Sequence, residues 1–166
     1  MKIILYQPQI PQNTGNIVRT CAATGTNLIL VRPLGFSTHS RHLKRAGLDY
    51  WESVQIEEID DLGPLLETKI FYCFSSKANQ LYTDASYDNH AALIFGSETS
   101  GLPDWLWQQY PERFFTIPMV KEKRCLNLAC SVAIVLYEAL RQNHFLNMEK
   151  KTERTTLISN EVANGR

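Results

Sequence analysis

The feature that most constrains the fold of this chain is the alternation of short apolar runs with segments of helical periodicity. Runs rich in β-branched or aromatic residues have the length of strands, and they lie at residues 3–6, 28–31, 53–56, 70–74, 91–95 and 114–117. Strands that alternate with helices are typical of a parallel sheet covered on both faces. The pattern therefore predicts an α/β fold, and 166 residues are enough for a single domain with a substantial core.

Apolar residues spaced three and four apart mark the predicted helices. The first helix is expected to begin at Asn13 or Thr14, either of which can cap it, and to end at Gly25. Asp60 or Asp61 can cap a short helix over residues 62–67. Further helices are predicted at residues 41–46, 103–110 and 126–143. The last has the strongest apolar stripe, and the small residues on its other side would allow another backbone to approach closely.

The character of the sequence changes after Met148. Residues 149–166 have no aromatic side chain and carry mixed charge, so residues 1–148 are predicted to form the domain and 149–166 a polar, mobile tail. No apolar run has the length of a membrane span, and the amino-terminal residues have the pattern of a strand rather than a signal peptide. These features predict a cytoplasmic protein without a membrane segment.

The cysteines indicate neither a metal site nor a disulfide framework. Cys21, Cys73, Cys125 and Cys130 are widely spaced or lie in apolar segments, and no C-x-x-C pair occurs. Because free cysteine is among the most buried residue types, Cys21 and Cys73 are predicted to be buried, reduced thiols. No metal is expected.

Charge is segregated along the chain although its formal net charge is zero. Arg32, Arg41, Lys44 and Arg45 are followed by a stretch, residues 49–67, that has seven acids and no base. Such segregation can produce a positive face suited to nucleic acid on a neutral protein. A solvated helix face is an equally good interpretation of the charge pattern alone.

Common nucleotide-binding and hydrolase motifs are absent from the sequence. No G-x-G-x-x-G follows the first predicted strand, which disfavours a dinucleotide site. Gly96 and Gly101 have the spacing of a phosphate-binding loop, but Leu102-Pro103 stands where Lys-Ser/Thr is required. A serine hydrolase would need a nucleophile elbow, and the sequence has none.

Three polar stretches at the ends of predicted strands remain as candidate ligand-binding loops. Ligands of open α/β sheets bind at the carboxyl ends of strands, so these loops should converge. Glycines in the second stretch would let the backbone reach the edge of a flat ring, and apolar side chains of the second and third stretches could sandwich its faces. A ligand made of an uncharged ring and a ribose fits this description. The stretches lie at residues 13–19, 95–102 and 117–128.

The three stretches read N-x-G-N-x-x-R, F-G-x-E-x-x-G-L and I-P-M…L-N-L-x-x-S-V-A-I. In this order they resemble the motifs of SPOUT-class RNA methyltransferases, most of all the YibK/TrmL-like branch of small tRNA (cytidine/uridine)-2′-O-methyltransferases. The resemblance covers roughly residues 2–143. It implies an α/β knot fold, with a parallel sheet flanked by helices and a trefoil knot in the carboxyl-terminal part. It also implies a homodimer in which the partner subunit completes each active site.

The same resemblance implies S-adenosyl-L-methionine as cofactor and the ribose 2′-hydroxyl of the wobble nucleotide of tRNA as methyl acceptor. Arg19 would fix the target phosphate and ribose and stabilise the developing oxyanion. Asn16 and Asn127 would orient substrate and loop, while Tyr137 would either reach the site or pack. The basic residues expected to contact RNA are Arg41, Lys44 and Arg45. The residues expected around the cofactor are Phe74, Gly96, Glu98, Leu102, Ile117, Met119, Cys125 and Leu126, with Glu98 anchoring its loop.

Two positions depart from the family pattern. Relatives usually have serine where this chain has Cys125 and asparagine where it has Cys130. A thiol is a weaker hydrogen-bonding group than a hydroxyl or an amide, so contacts made by these side chains differ from those of relatives. Two alternatives stay open at this point: an RNA-binding homologue that has lost catalysis, and a different nucleotide-dependent α/β enzyme.

Overall fold

The structure is a computed structural model that describes residues 1–37, 50–68, 70–121, 125–146 and 148–149. Its described part contains a seven-stranded sheet with the strand order β3-β2-β1-β6-β4-β7-β5. Every pairing between neighbouring strands is parallel, which confirms the predicted α/β class. The strands are β1 (Lys2–Tyr6), β2 (Asn27–Val31), β3 (Ile56–Ile59), β4 (Phe71–Phe74), β5 (Gln80–Leu81), β6 (Ala92–Phe95) and β7 (Phe114–Thr116).

Helices cover both faces of this sheet, as the apolar runs of its central strands require. One face packs against α1 (Pro11–Thr24) and α4 (Leu128–Gln142), and the other against α2 (Gly63–Thr68) and α3 (Asp104–Gln109). The apolar stripe predicted for the longest helix is confirmed, because it faces the core through Val132, Val135, Leu136, Ala139 and Leu140.

The start of α1 differs from its predicted start. The helix begins at Pro11, after Ile10, which makes no side-chain cap. Proline suits the first helical position because its φ is already helical and its missing N–H is not needed there. The prediction that Asn13 or Thr14 caps this helix was therefore wrong; both are buried within its first turn. The predicted end is confirmed, since Gly25 has a left-handed φ of 64° and its N–H donates to the Cys21 carbonyl.

The sheet edges are where the sequence prediction of strands failed. Residues 53–56 were predicted as a strand, but Trp51–Ser53 forms a 3₁₀ turn and the strand is Ile56–Ile59. Its central residues, Glu57 and Glu58, are exposed, as suits an edge strand that must resist pairing with other chains. At the opposite edge, β5 consists of only two residues, Gln80 and Leu81, and both are exposed. A strand this short does not show the apolar pattern from which strands are predicted.

Predicted helix ends agree with the structure within a few residues. Asp61 accepts a hydrogen bond from the Gly63 N–H at 2.9 Å at the start of α2, as its predicted capping role requires. Pro103 precedes α3, and Pro111 opens a separate 3₁₀ turn after it. Asn127 is the residue that caps α4.

Cys21 and Cys73 are buried, as predicted. Burial raises the pKa of the Cys21 thiol to about 12 and also raises the pKa of Cys73, so both stay protonated at neutral pH. Within the described residues, no helix is both long enough and apolar enough to cross a membrane.

Several predictions fall outside the described residues or are not decided by them. The helix at residues 41–46, with Arg41, Lys44 and Arg45, lies outside the described ranges, and so do residues 150–166 of the tail. The division into a domain and a tail at residue 148 stays a prediction, and so does the trefoil knot.

Candidate active site

A pocket of about 500 Å³ lies at the carboxyl ends of β4, β6 and β7. This is the edge of a parallel sheet at which ligands bind, and the volume lies within the usual range for small-molecule sites. The second and third polar stretches form most of its wall, and Ile10 and Asn13 complete it near the start of α1. Every residue expected around the cofactor lines this pocket: Phe74, Gly96, Glu98, Leu102, Ile117, Met119, Cys125 and Leu126.

The pocket has a rigid aromatic base. Phe74 is almost fully buried at the end of β4 and stacks on Phe95 of β6, with ring centroids 4.8 Å apart and an angle of 21° between the planes. The Trp107 ring, which also lines the pocket, stacks on Phe114 at the start of β7. These rings belong to neighbouring strands or pack on them, so the sheet itself fixes this wall.

Residues 97–101 form a tight turn that closes on its own backbone. The Ser97 N–H donates to the Gly101 carbonyl at 3.2 Å, and the Gly101 N–H donates to the Ser97 carbonyl at 3.0 Å. The Ser100 N–H donates to Ser97 Oγ at 3.1 Å. Because these three amides are used within the loop, they are not available as a phosphate cradle, in agreement with the missing lysine of a phosphate-binding motif.

Gly96 is required by this loop for a steric reason. A Cβ at this position would overlap the carbonyl carbon of Gly101 and the amide nitrogen of Leu102. Backbone atoms cannot yield as a flexible side chain can, so any side chain at Gly96 must displace the loop. From the sequence, glycine was expected here because it would let a ligand ring approach the backbone. The loop requires glycine at this position even without a ligand.

Glu98 joins the second loop to the first. Its carboxylate accepts hydrogen bonds from the Gln9 N–H at 2.8 Å, the Ile10 N–H at 3.2 Å and Asn13 Nδ2 at 2.8 Å. A carboxylate that accepts several N–H groups is a strong anchor for the segments it joins. The anchoring contacts predicted for Glu98 are thus present in the structure.

Asn13 extends this hydrogen-bonded chain to the third loop. Its Oδ1 accepts from Asn127 Nδ2 at 2.9 Å, and Asn127 Oδ1 accepts from the N–H groups of Ala129 and Cys130, at 2.9 and 3.3 Å, at the start of α4. From the sequence, Asn13 was predicted as a possible helix cap and as part of the first polar stretch, but its contacts with Glu98 and Asn127 were not predicted. The available signal was its place as the first residue of the N-x-G-N-x-x-R stretch.

The predicted catalytic residues separate into two groups. Asn127 lies in the pocket wall. Arg19, Asn16 and Tyr137 do not line the pocket, and all three are exposed, Arg19 and Asn16 on α1 and Tyr137 on α4. The guanidinium carbon of Arg19 instead lies 5.5 Å from the centre of the Tyr50 ring. One chain therefore brings together the residues assigned to the cofactor but not those assigned to the substrate.

The two departures from the family pattern differ in position. Cys125 is exposed and lines the pocket, whereas Cys130 is exposed in the first turn of α4 and does not line it. The backbone N–H of Cys130 is capped by Asn127, so the start of this helix does not depend on the Cys130 side chain. Across the described ranges, no group of histidine, cysteine and acidic side chains could hold a metal ion.

A parallel sheet with a pocket at its carboxyl edge and polar loops tied together around it is typical of α/β proteins that bind a small ligand. Over residues 1–137 the chain matches the SpoU rRNA Methylase family. The chain belongs to this family.

Individual relatives agree with that assignment. A tRNA (cytidine(34)-2′-O)-methyltransferase of Methylovorus glucosotrophus is 44% identical over 86% of this chain and 96% of its own length. This chain is also similar to a solved structure described as giving structural insights into the 2-OH methylation of C/U34 on tRNA. The two have a TM-score of 0.81 and 41% sequence identity, and the match covers 86% of this chain and 95% of the other chain. An AdoMet-bound rRNA methyltransferase from Sinorhizobium meliloti has a TM-score of 0.75 at 25% identity, covering 84% of this chain and 55% of its own.

Proposed function

We propose that this chain transfers a methyl group from S-adenosyl-L-methionine to the ribose 2′-hydroxyl of nucleotide 34, a cytidine or uridine, in tRNA. The observation that supports this most is the convergence of the expected cofactor residues on one pocket in a chain of the SpoU family. The choice of nucleotide rests on the relatives, since two similar proteins are described by methylation of C34 or C/U34.

The pocket fits the proposed cofactor in size and chemistry. Apolar side chains such as Leu102, Ile117 and Met119 can contact the faces of an adenine ring, and Ser75 and Ser76 offer hydroxyl groups to a ribose. When bound, S-adenosyl-L-methionine supplies a methyl group on a sulfonium, which is already an activated leaving group. Transfer breaks the sulfur–methyl bond, leaves S-adenosylhomocysteine and releases the proton of the hydroxyl group. The protein must therefore position the two reactants, let that proton leave and stabilise the charge that develops on the acceptor oxygen.

Arg19 is the residue we assign to that oxygen. A guanidinium stays protonated at all physiological pH values, so Arg19 acts as a hydrogen-bond donor and a positive charge rather than as a base. Its fork of N–H groups can hold the target phosphate and the ribose together. We assign the orientation of the same nucleotide to Asn16, which is exposed about one helical turn earlier on α1.

The exposure of Arg19, Asn16 and Tyr137 on α1 and α4 supports a homodimer. We propose that this surface meets the pocket of a partner subunit, so that Arg19 of the partner subunit completes each site. On α4, small residues such as Ala129 and Ala133 lie near Ile134, an apolar side chain that is 37% exposed. Such a surface lets two helices approach closely and gains from burial.

A mixing experiment tests shared sites directly. Arg19→Ala chains and Gly96→Val chains should each methylate tRNA only weakly when alone, because each is defective in one half of every site; S-adenosyl-L-methionine is kept below the dissociation constant of the Gly96→Val pocket. Co-expressed chains should recover about one quarter of the normal activity, because half of a random dimer population is mixed and each mixed dimer has one intact site. Sites built within one chain would instead leave the mixture inactive.

We also propose that Arg41, Lys44 and Arg45 contact tRNA phosphates, and that the protein acts in the cytoplasm, where tRNA is its substrate. Both proposals follow from a tRNA substrate and from the segregated charge in the sequence. No observation on the described residues favours a homologue without catalysis or a different nucleotide-dependent enzyme.

The function is tested by mass spectrometry of total tRNA from cells with and without this protein. Loss of a ribose methyl at nucleotide 34 in the deleted strain, restored by the intact chain and not by Arg19→Ala, is the expected result. Unchanged ribose methylation at nucleotide 34 would exclude the proposed reaction.

A further inference from the structure

Arg19 contacts an aromatic ring that comes from outside the three polar stretches around the pocket. Its guanidinium carbon lies over the Tyr50 ring, 5.5 Å from the ring centre. This is within the distance of about 6 Å at which the face of an aromatic ring attracts a cation. The two residues come from different segments. Arg19 lies on α1, and Tyr50 directly precedes the 3₁₀ turn Trp51–Ser53.

Tyr50 is anchored well enough to act as a fixed support. Its carbonyl accepts two hydrogen bonds from Ser53, at 3.1 Å from the N–H and at 2.7 Å from Oγ. The next residue, Trp51, packs against the core cluster that also contains the buried side of α1. The backbone around Tyr50 is thereby tied to the helix that carries Arg19, while the Tyr50 side chain remains 41% exposed.

A ring contact restrains an arginine in a way that suits its proposed role. The ring occupies one face of the guanidinium, whereas the N–H groups point outward in the guanidinium plane. Within the described part of the chain, no carboxylate pairs with Arg19. Among those described residues, no carboxylate occupies the in-plane donors, and the ring contact leaves the guanidinium plane open to oxygen atoms.

We propose that Tyr50 is a positioning residue for methyl transfer: its ring orients the Arg19 guanidinium so that the in-plane N–H groups meet the target nucleotide. This inference rests on the proposed function, because it gives Tyr50 a role only through Arg19. The ring face is the required feature. Tyr50→Phe should therefore keep the effect, and Tyr50→Leu should remove it.

The test is a single-turnover assay with saturating tRNA and S-adenosyl-L-methionine. Because a cation–π contact at an exposed site corresponds to about a two- to fivefold effect on an equilibrium or rate, Tyr50→Leu should lower the methyl-transfer rate constant by that factor. Tyr50→Phe should restore the original rate, and affinity for S-adenosylhomocysteine should be the same in all variants. Trp105→Leu is the matched control, since Trp105 is similarly exposed, at 39%, on the other face of the sheet.

Nuclear magnetic resonance of the arginine Nε–H groups supplies a second readout that is independent of activity. The Arg19 signal, identified by its loss in Arg19→Ala, should shift in Tyr50→Leu when the ring current is removed, and shift little in Tyr50→Phe. A general loss of structure would instead move many signals and lower the melting temperature.

The outcomes separate this inference from the proposed function. An inactive Arg19→Ala chain together with a fully active Tyr50→Leu chain would overturn the role of Tyr50 and leave the proposed reaction standing. A fully active Arg19→Ala chain would overturn both. A rate lowered equally in Tyr50→Phe and Tyr50→Leu would show that the hydroxyl group matters rather than the ring face, and would also contradict the proposal.

Discussion

The pocket and the outer surface of α1 and α4 differ in how firmly their side chains are held by contacts within the chain. Around the pocket, three loops are joined by hydrogen bonds through Glu98, Asn13 and Asn127, and the walls rest on stacked rings. On the outer surface, Arg19 and Tyr137 are exposed, and the only ring that restrains Arg19 among the described residues is that of Tyr50. The described residues of one chain thus form the pocket, whereas the residues proposed to act on the substrate lie outside it, apart from Asn127.

The largest expected effect separates the two regions functionally. Arg19→Ala should lower methyl transfer by about 10²–10³-fold, because removing a donor to a developing oxyanion typically has an effect of this size. The same variant should bind S-adenosylhomocysteine normally, since Arg19 does not line the pocket. Calorimetry and a single-turnover assay measure the two quantities. A variant that loses cofactor affinity in proportion to activity would show that the two regions are not separate.

Gly96→Val makes the converse change. A side chain at Gly96 overlaps the backbone of its own loop, so the loop must move and S-adenosylhomocysteine should bind at least about tenfold more weakly, a loss of 1.4 kcal/mol or more. Gly25→Ala is the control: its left-handed φ of 64° makes alanine unfavourable by about 1 kcal/mol, yet it lies at the far end of α1 and should leave binding intact. Normal ligand affinity in Gly96→Val would show that the pocket has been placed wrongly.

Glu98→Gln tests whether the loops act as one unit. The amide has one oxygen where the carboxylate has two, so at least one of the three N–H donors loses its acceptor or meets another N–H group. Loss of one such hydrogen bond should lower the free energy of unfolding by about 1–2 kcal/mol. Part of this loss should appear as a three- to tenfold weaker affinity for S-adenosylhomocysteine. Thermal unfolding with and without ligand measures both. Unchanged affinity would mean that the second loop holds its shape without Glu98.

These two regions also differ in how far the sequence could predict them. The ends of the predicted strands indicate where the pocket lies, whereas the individual residues expected around the cofactor came from the resemblance to SPOUT methyltransferases. Each of those residues lies in or beside a loop at a strand end. Asn13 was misassigned because a polar residue near the start of a helix has the same local pattern as a cap, and only the tertiary structure shows Asn127 and Glu98 beside it. The contact between Arg19 and Tyr50 joins separate segments and gives no periodic signal. The edge strands were misplaced because exposed residues such as Glu57 and Glu58 do not show the apolar pattern.

The smallest expected effect concerns the basic segment, which lies outside the described residues. If Arg41 and Lys44 contact phosphates, the double change Arg41→Ala with Lys44→Ala should weaken tRNA binding at low salt and flatten the log–log salt slope by about one to two units. Cofactor affinity should not change. An unaltered slope across a salt series would assign these residues to a solvated surface that balances the acids of residues 49–67.

The central claim, methyl transfer to one ribose hydroxyl, is tested most directly with two tRNA substrates that differ only at nucleotide 34. One has a ribose and the other a 2′-deoxyribose, and both are incubated with the purified protein and labelled S-adenosyl-L-methionine. We expect one methyl group per ribose substrate, located at nucleotide 34 by mass spectrometry, and none on the deoxy substrate, which should still bind with similar affinity. Methylation of the deoxy substrate, or of the ribose substrate at another position, would contradict it.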